Sequence, residues 1–525
     1  MKVLLSWLRE FTPIPESMTP DELGLVMGDL GMAVEEMDVL GEGLDGIVVA
    51  RVLDLRVHPD ADRVQLVDVD VGDGESLQIA CGAFNMAVGD LVPLATIGTT
   101  MPNGMEIAKR KLRGEVSNGM LCSSSEVGLP GDASGILVLP ETLVPGTSLV
   151  EALGIESDVL YDLEINPNRP DAMSVAGVAR DLAARLELPF RLPDPAIVEG
   201  ATVTADEVTI AIDDPERCGR FTARVLHGVQ VGPSPAAIAN RLTLLGMRPI
   251  NNLVDVSNYV MLELGQPSHA YDLATVAGAT LRARRATDGE RIVTLDDVER
   301  TLSDADLVIA DGTDRAVGIA GVMGGADTEI SANTTDVVVE MAWFDRMPVA
   351  KTARRLGLRS EASARFERGA PLDFHDLAHR RFIELLGGDA GTPSQGMVDV
   401  RGTLPDRSPI TVRPDRVNAV LGSDLDAATM KALLDRLGFT TDIAAGGETM
   451  TVALPTYRLD SETEIDIVEE VGRLYGFEKL GKTMPVSSLS GGLTPRQRDR
   501  RLLRSVLTGL GCSEATPMPF LAPGD

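Results

Sequence analysis

The sequence predicts a multidomain α+β chain in which a small β-barrel is inserted into an N-terminal helical domain. Three observations carry that reading. At 525 residues the chain exceeds what one hydrophobic core can organise, and roughly 150 residues per domain gives three to five. Helical texture in 1–40 returns at 167–188, and between them lie short strand-like runs separated by Gly and Asp turns. From about 202 to 400, and again from 408 to 480, strand and helix patterns alternate.

Taken in order, Thr19, Pro20 and Glu22 mark a helix start. Thr19 is the cap, Pro20 fits a first turn whose N–H has no partner anyway, and Glu22 closes the capping box; the helix reaches about Gly31. Strands at 47–52, 64–71, 77–79 and 91–95, with turns such as Gly72-Asp73-Gly74, predict a closed or partly open barrel to about residue 150. Further on, 281–285, 291–295, 307–310 and 337–343 read as strands, and 348–356 and 372–386 as helices. Asp288-Gly289 and Asp311-Gly312 are hairpin-type turns. A helix at 424–437 belongs to the 408–480 unit, the Gly- and Ser-rich stretch 481–494 reads as a linker, and another helix begins at 496–510.

Composition narrows the function. A net charge of −31 opposes nonspecific coating of nucleic acid, which rewards clustered Lys and Arg, so any polynucleotide contact must be local. Local basic patches occur at Lys109, Arg110, Lys111 and Arg113, at Arg282, Arg284 and Arg285, and at Arg354, Arg355 and Arg359. Aromatics at 3% leave little for a base-stacking platform. No apolar run approaches the roughly 20 residues of a membrane helix, and the N-terminal apolar stretch is too short and too charged for a signal peptide; a cytoplasmic protein is expected. Cys81, Cys122, Cys218 and Cys512 lie far apart without metal-ligand spacing and read as buried thiols.

One acidic stretch stands out. On a helix, Asp466, Glu469 and Glu470 share a face opposite Ile467, Val468, Val471, Leu474 and Tyr475, and Asp460 lies just upstream. Four oxygen donors without His or Cys suit Mg²⁺, because a cation between repelling carboxylates turns a penalty into attraction. The same spacing also fits a solvated acidic first turn favoured by the helix dipole.

Over essentially all of its length the sequence resembles the β subunit of bacterial phenylalanyl-tRNA synthetase. The resemblance rests on Leu5-Ser6-Trp7-Leu8; on His58 to Asp62, Gln78 to Ala83, Lys111 to Gly114 and Gly119 to Ser123 in the inserted barrel; and on Asn166 to Asp171. It continues in Asn258 to Pro267 with His269, Gly321 to Gly325, Glu361 to Ser363, Arg365 to Gly369, and the acidic stretch. It implies an OB-fold tRNA-binding domain at 41–151 inserted between 1–40 and 152–200, a B3/B4 editing domain at 202–400, a B5-like α/β domain at 405–480, and, at 481–525, the first helix of a catalytic-like class II synthetase module. Family members usually continue through that module to an anticodon-binding domain, so the chain reads as C-terminally truncated.

The resemblance also implies roles. Asp460, Asp466, Glu469 and Glu470 would bind Mg²⁺ near an α subunit that carries the ATP and phenylalanine site, in an α2β2 heterotetramer acting on tRNA(Phe). Phenylalanine and tyrosine differ by one hydroxyl, which an apolar pocket rejects only about a hundredfold, so a separate hydrolytic site is the physical remedy. There Glu340 would accept the tyrosine hydroxyl, His269 and Asn258 would hold the ester and a water, and Ser257, Gly321, Ser360 and Ala362 would line the pocket. Serines 257 and 360 depart from the family's threonines, keeping a hydroxyl and losing a methyl. From the residues alone, His269 equally suits a loop cap and Glu340 an ion pair with a neighbouring Arg. Lys109, Lys111 and Arg113 would touch tRNA phosphates, or form an ordinary solvated hairpin. A non-catalytic tRNA-binding scaffold and a free-standing trans-editing hydrolase are the rival functions.

Overall fold

Thr19 caps its helix as its neighbours require: the Thr19 hydroxyl accepts from the Glu22 N–H at 3.3 Å, and the Glu22 carboxylate accepts from the Thr19 N–H at 2.9 Å. The helix Pro20–Asp29 feeds the strand Met32–Leu40 of an antiparallel three-stranded sheet. The computed structural model describes residues 1–41, 44, 46–61, 63–128, 135–140, 143–153, 158–482, 484, 491–518 and 520. They form two units, Met1–Lys479 and Leu480–Asp525.

In that first sheet the middle strand is Asp158–Ile165, flanked by Lys2–Leu4 and Met32–Leu40. A strand that follows the intervening segment thus sits between two that precede it, so 41–157 leaves and rejoins one sheet. Helices Leu5–Phe11 and Val175–Leu186 cover it, burying Trp7, Leu8, Tyr161, Val178 and Leu182. Gly177 lets the second helix meet the turn before it, because a Cβ there would lie 1.8 Å from the Asp171 carbonyl oxygen.

The intervening segment holds five antiparallel strands in the order Ser76–Cys81, Gln65–Asp70, Ile47–Val57, Leu91–Ala95 and Met120–Leu121. Alternation along Ile47–Val57 sends Ile47 and Val49 into one core and Ala50 and Val52, on the opposite face, into another; a register slip follows at Val52/Asp54. The Asn118 N–H donates to the Gln78 carbonyl at 3.0 Å, so the chain before the last strand returns to the first edge.

The middle of the chain is built around the strand Asp336–Phe344. It lies between Ser268–Asp272 and Cys218–His227 in an antiparallel sheet. Its residues Val337, Val339 and Met341 face a core shared with helices Asn252–Leu264 and His375–Leu386; Val338, Ala342 and Phe344 face a second core. A second five-stranded sheet, Thr209–Ile212, Thr280–Arg285, Leu307–Ala310, Ala316–Ile319 and Met323–Gly324, supplies the far wall of that second core. Asp311-Gly312 closes a true hairpin, Leu307–Ala310 pairing with Ala316–Ile319. Asp288-Gly289 only turns the chain: Thr280–Arg285 pairs with Leu307–Ala310, while Arg291–Val293 pairs with Glu299–Thr301.

In 410–477, helices Pro414–Leu421, Ala427–Arg436 and Glu464–Tyr475 accompany the small sheet Ile410–Val412, Met450–Ala453, Thr440–Ile443. In the second unit, Thr494 and Gln497 form a capping box at the start of helix Pro495–Gly509, whose side chains are exposed. Half of the stretch read as a linker lies outside the described residues. Three cysteines are buried; Cys512 is exposed, correcting its reading as a core thiol. Among the described residues no helix is long and apolar enough to cross a membrane.

Candidate active site

Antiparallel pairing sets His269 opposite Glu340, and directly opposed residues project to the same face of a sheet. Two residues on, Tyr271 shares that face. All three open into one cavity of about 90 Å³, closed on the far side by Gly318, Gly321 and Gly324 and bounded by Ala362 and Phe366. The His269 and Tyr271 rings meet edge to face, 4.4 Å between centroids.

Burial of the groups that face the cavity sets its electrostatics. Glu340 is 7% exposed and has no arginine or lysine partner among the described residues. Its Oε2 accepts from the Tyr271 hydroxyl at 2.6 Å, and Oε1 accepts nothing within the described chain. Burial pushes the carboxyl up to about 7, partly offset by that hydrogen bond. Burial drives His269 the other way, down to about 4, so the imidazole is neutral near pH 7. Its Nε2 is buried without a partner among the described residues. The ring fits because residue 324 is glycine: a Cβ there would come within 2.5 Å of His269 Cε1 and 2.7 Å of Nε2.

Of the residues expected here, His269, Glu340, Gly321 and Ala362 line the cavity. Gly321 has φ +70°, and a Cβ would meet Phe344 and Phe366 at 3.1 Å. Ser257, Asn258 and Ser360 are absent from the lining. Ser257 instead donates to the Ser268 carbonyl at 2.8 Å, and Ser360 donates to the Val322 carbonyl at 2.7 Å while capping helix Glu361–Phe366. These hydroxyls hold the wall from behind. His269 lies in a strand rather than capping a loop, and Glu340 pairs with a phenol rather than an arginine.

The acidic helix does not gather a cation site. Asp466 turns back to cap its own helix, Oδ2 accepting from the Thr463 N–H at 2.7 Å and the Glu462 N–H at 2.9 Å. Glu469 is exposed. Glu470 is buried and accepts two hydrogen bonds of 2.7 Å from Arg458 and one of 2.9 Å from Arg473 Nε. Asp460 is gripped by another edge of Arg458, at 2.9 and 2.8 Å. Burial alone would raise the Glu470 carboxyl, but the charges of Arg458 and Arg473 prevail and hold it well below its usual range. Among the described residues no three His, Cys, Asp or Glu are placed to hold a metal ion, so the residues do not fit the expected Mg²⁺. Helical periodicity sorted the acids by side and sets Arg473 three residues after Glu470, but it carries no information about Arg458, which arrives from the segment before the helix.

Lys109, Lys111 and Arg113 are exposed on and beside the hairpin Arg110–Leu112/Glu115–Ser117. Buried His58 pins that hairpin, its Nε2–H donating to the Leu112 carbonyl at 3.0 Å, and Arg113 donates to the Asp60 carbonyl at 2.9 Å. Of the other basic clusters, Arg282, Arg284 and Arg285 are neutralised by Asp213, Asp214, Glu290 and Asp314, whereas in the third Arg355 pairs with Asp306 and Arg354 and Arg359 are exposed.

Three family models match: "Putative tRNA binding domain" over 47–148, "B3/4 domain" over 217–388 and "tRNA synthetase B5 domain" over 410–477. The phenylalanine-tRNA ligase beta subunits of Anaeromyxobacter dehalogenans and Geobacter sulfurreducens are each 44% identical across 100% of this chain, and that of Salinibacter ruber is 41% identical over 98% of it. The chain belongs to the phenylalanine-tRNA ligase beta-subunit family. It spans 65%, 65% and 63% of those relatives' lengths. An N-terminal fragment of the phenylalanyl-tRNA synthetase beta-subunit from Pyrococcus horikoshii, 16% identical over 61% of this chain and 87% of that one, gives a TM-score of 0.32, too distant to argue from.

Within this family member, His269, Tyr271, Gly321, Gly324, Glu340 and Ala362 all fall inside the B3/4 match, the acidic helix inside the B5 match and the basic hairpin inside the tRNA-binding match. Tyr271, Gly318, Gly324 and Phe366 are among the cavity residues that reading the sequence missed. The signal for Tyr271 was present: it stands two residues after His269 in a strand, hence on the same face.

Proposed function

We propose that the chain serves as the beta subunit of a cytoplasmic phenylalanine-tRNA ligase and hydrolyses tyrosyl esters of tRNA(Phe) in the cavity between Glu340 and His269. In this reading ATP and phenylalanine are handled by an α subunit in an α2β2 assembly. The 41–151 segment is an OB-fold that meets tRNA through Lys109, Lys111 and Arg113; 202–400 is the editing domain; 405–480 is a B5-like domain, and 481–525 opens a class II synthetase-like module. One observation carries the hydrolytic part: a buried carboxylate with a free oxygen and a neutral histidine with a free nitrogen share one cavity.

The chemistry follows from the groups present. A tyrosyl ring enters with its hydroxyl donating to Glu340 Oε1, a bond a phenyl ring cannot make. Neutral His269 accepts one O–H of a water at Nε2 and so presents the water's lone pair to the ester carbonyl carbon. Water oxygen bonds to that carbon, the carbon–oxygen bond to the ribose breaks, and the ribose oxygen leaves with a proton. Ser257 and Ser360 keep the cavity wall in place through the Ser268 and Val322 carbonyls. Asn258 adds a contact to the ester only if substrate draws helix Asn252–Leu264 inward.

The test is deacylation of tyrosyl-tRNA(Phe) by the chain alone and with its α subunit. Glu340→Ala and His269→Ala should each cut the rate about 10- to 100-fold, the value of a hydrogen bond to a charged or catalytic group. An inactive wild type favours the scaffold reading, and full activity without α favours a free-standing hydrolase.

A further inference from the structure

The carboxylate assigned to a substrate phenol already holds a phenol of its own. Tyr271 is 2% exposed, and its hydroxyl has Glu340 Oε2 as its sole hydrogen-bond partner among the described residues. Gly318 flanks that hydroxyl: a Cβ at this position would touch it at an ordinary contact distance of 3.5 Å. We propose that Tyr271 is the residue that positions Glu340 for specificity: it anchors one carboxylate oxygen, turns the other to the cavity, and thereby reserves the site for side chains ending in a hydrogen-bond donor. This rests on the hydrolytic reading above and names a residue that reading did not use.

The argument is one of alternatives open to a buried acid. A carboxyl facing an apolar ring escapes the penalty of a naked charge by taking up a proton, and a protonated Glu340 would tolerate a phenylalanyl ring. Every group facing it bears on that choice. His269, on the same strand as Tyr271, is neutral and donates no charge. Cys218, on the strand beyond, is held as a thiol by burial and by Glu340 itself. The rest of the lining brings glycines, aliphatic side chains, Met323, Ser268 and the rings of Phe344 and Phe366, none of them charged. Tyr271 is therefore the group that favours the anion, and its hydrogen bond opposes the upward push of burial. An anion with one oxygen satisfied and one bare makes a phenyl ring costly and a phenol welcome. With the anchor removed, Glu340 is both freer to rotate and readier to protonate, and both changes erode discrimination.

Tyr271→Phe removes one oxygen from a position whose ring stays packed. In the intact chain with its α subunit, hydrolysis of tyrosyl-tRNA(Phe) and phenylalanyl-tRNA(Phe) is measured from pH 5.5 to 9 for wild type, Tyr271→Phe and Glu340→Gln. The expected result is a tyrosyl-over-phenylalanyl ratio about 10-fold lower in Tyr271→Phe at pH 7. The wild-type ratio should rise through about pH 7, and that inflection should move alkaline in Tyr271→Phe and vanish in Glu340→Gln. Infrared titration of the Glu340 carboxyl, from wild-type minus Glu340→Gln spectra, should show the same displacement without depending on turnover. A wild type that hydrolyses neither ester overturns the hydrolytic reading and this proposal with it. A wild type that discriminates, with Tyr271→Phe matching it in ratio, inflection and carboxyl titration, overturns the role of Tyr271 alone.

Discussion

Glu340 and His269 are titrating groups pushed in opposite directions by the same burial, and each leaves its mark on stability. The folded Glu340 carboxyl, at about 7 against an ordinary 4.5, holds a proton that the unfolded chain releases; its contribution is present below 4.5 and lost as pH rises to about 7. For His269, at about 4 against 6.5, the unfolded chain binds the proton, so stability is present above 6.5 and lost as pH falls toward 4. Glu340→Gln removes the first effect and keeps an acceptor for Tyr271. Melts at pH 5 and pH 8 should show the variant gaining on the wild type by on the order of 3 kcal/mol between the two. Equal shifts at both pH values would mean that Glu340 is ionised and hydrated throughout. This pair was legible through the family resemblance alone: no strand was read at 268–272, and from the residues His269 equally suited a loop cap. Tyr271 shares its face once that strand is known, but its bond to Glu340 depends on register, which the sequence leaves open.

Two glycines show how whole elements deliver these side chains. Gly324, in the short strand Met323–Gly324, leaves the space His269 occupies, and Gly324→Ala would force the imidazole off its cavity position. Because the far end of a side chain yields more cheaply than backbone, deacylation should fall about 10-fold or more while the melting point moves little. Gly177 is the opposite case: its neighbour is the Asp171 carbonyl, so Gly177→Ala must displace helix Val175–Leu186 and should cost about 2–3 kcal/mol. The basic hairpin is an element pinned by one buried imidazole. Lys109→Ala with Lys111→Ala should lower the slope of log affinity for tRNA against log salt by about 0.7 to 0.9 for each phosphate no longer neutralised, and His58→Ala should weaken binding with both lysines intact. An unchanged slope would reduce the hairpin to a solvated loop. Helix and strand positions were legible here because caps, turns and periods are local. The destination of each strand was not: the turn at Asp288-Gly289 promised a hairpin that pairing elsewhere replaced.

At the scale of Met1–Lys479, two of the acids read as a cation site, Asp460 and Glu470, belong instead to a buried ionic chain that ties the N-terminal region to 410–477. Arg458 joins Asp460 to Glu470; Arg473 joins Glu470 to Asp181 on helix Val175–Leu186, at 2.7 Å; Arg169 joins Asp181 at 2.7 Å to Asp171 at 2.9 Å. Three arginines face four carboxylates, and Arg180, stacked 3.6 Å over Tyr457, supplies the remaining cation. Such a network gives little net stability against an apolar core of equal volume, yet breaking it strands buried charge, at about 3–5 kcal/mol. Glu470→Gln should therefore destabilise by that order, whereas Glu469→Gln, on the exposed arc of the same helix, should stay within about 0.5 kcal/mol. Since the Glu470 carboxyl is held below its usual 4.5, its contribution is present above that value and lost as pH falls through the acid range, so the two variants should converge on acidification. Hydrogen exchange localises the effect: Glu470→Gln should deprotect Glu464–Tyr475 and Val175–Leu186 together, because Arg473 bridges them. If Glu469→Gln proved as damaging as Glu470→Gln, and Mg²⁺ restored the wild type's melting point after chelation, an ion rather than the arginines would be holding the acids together.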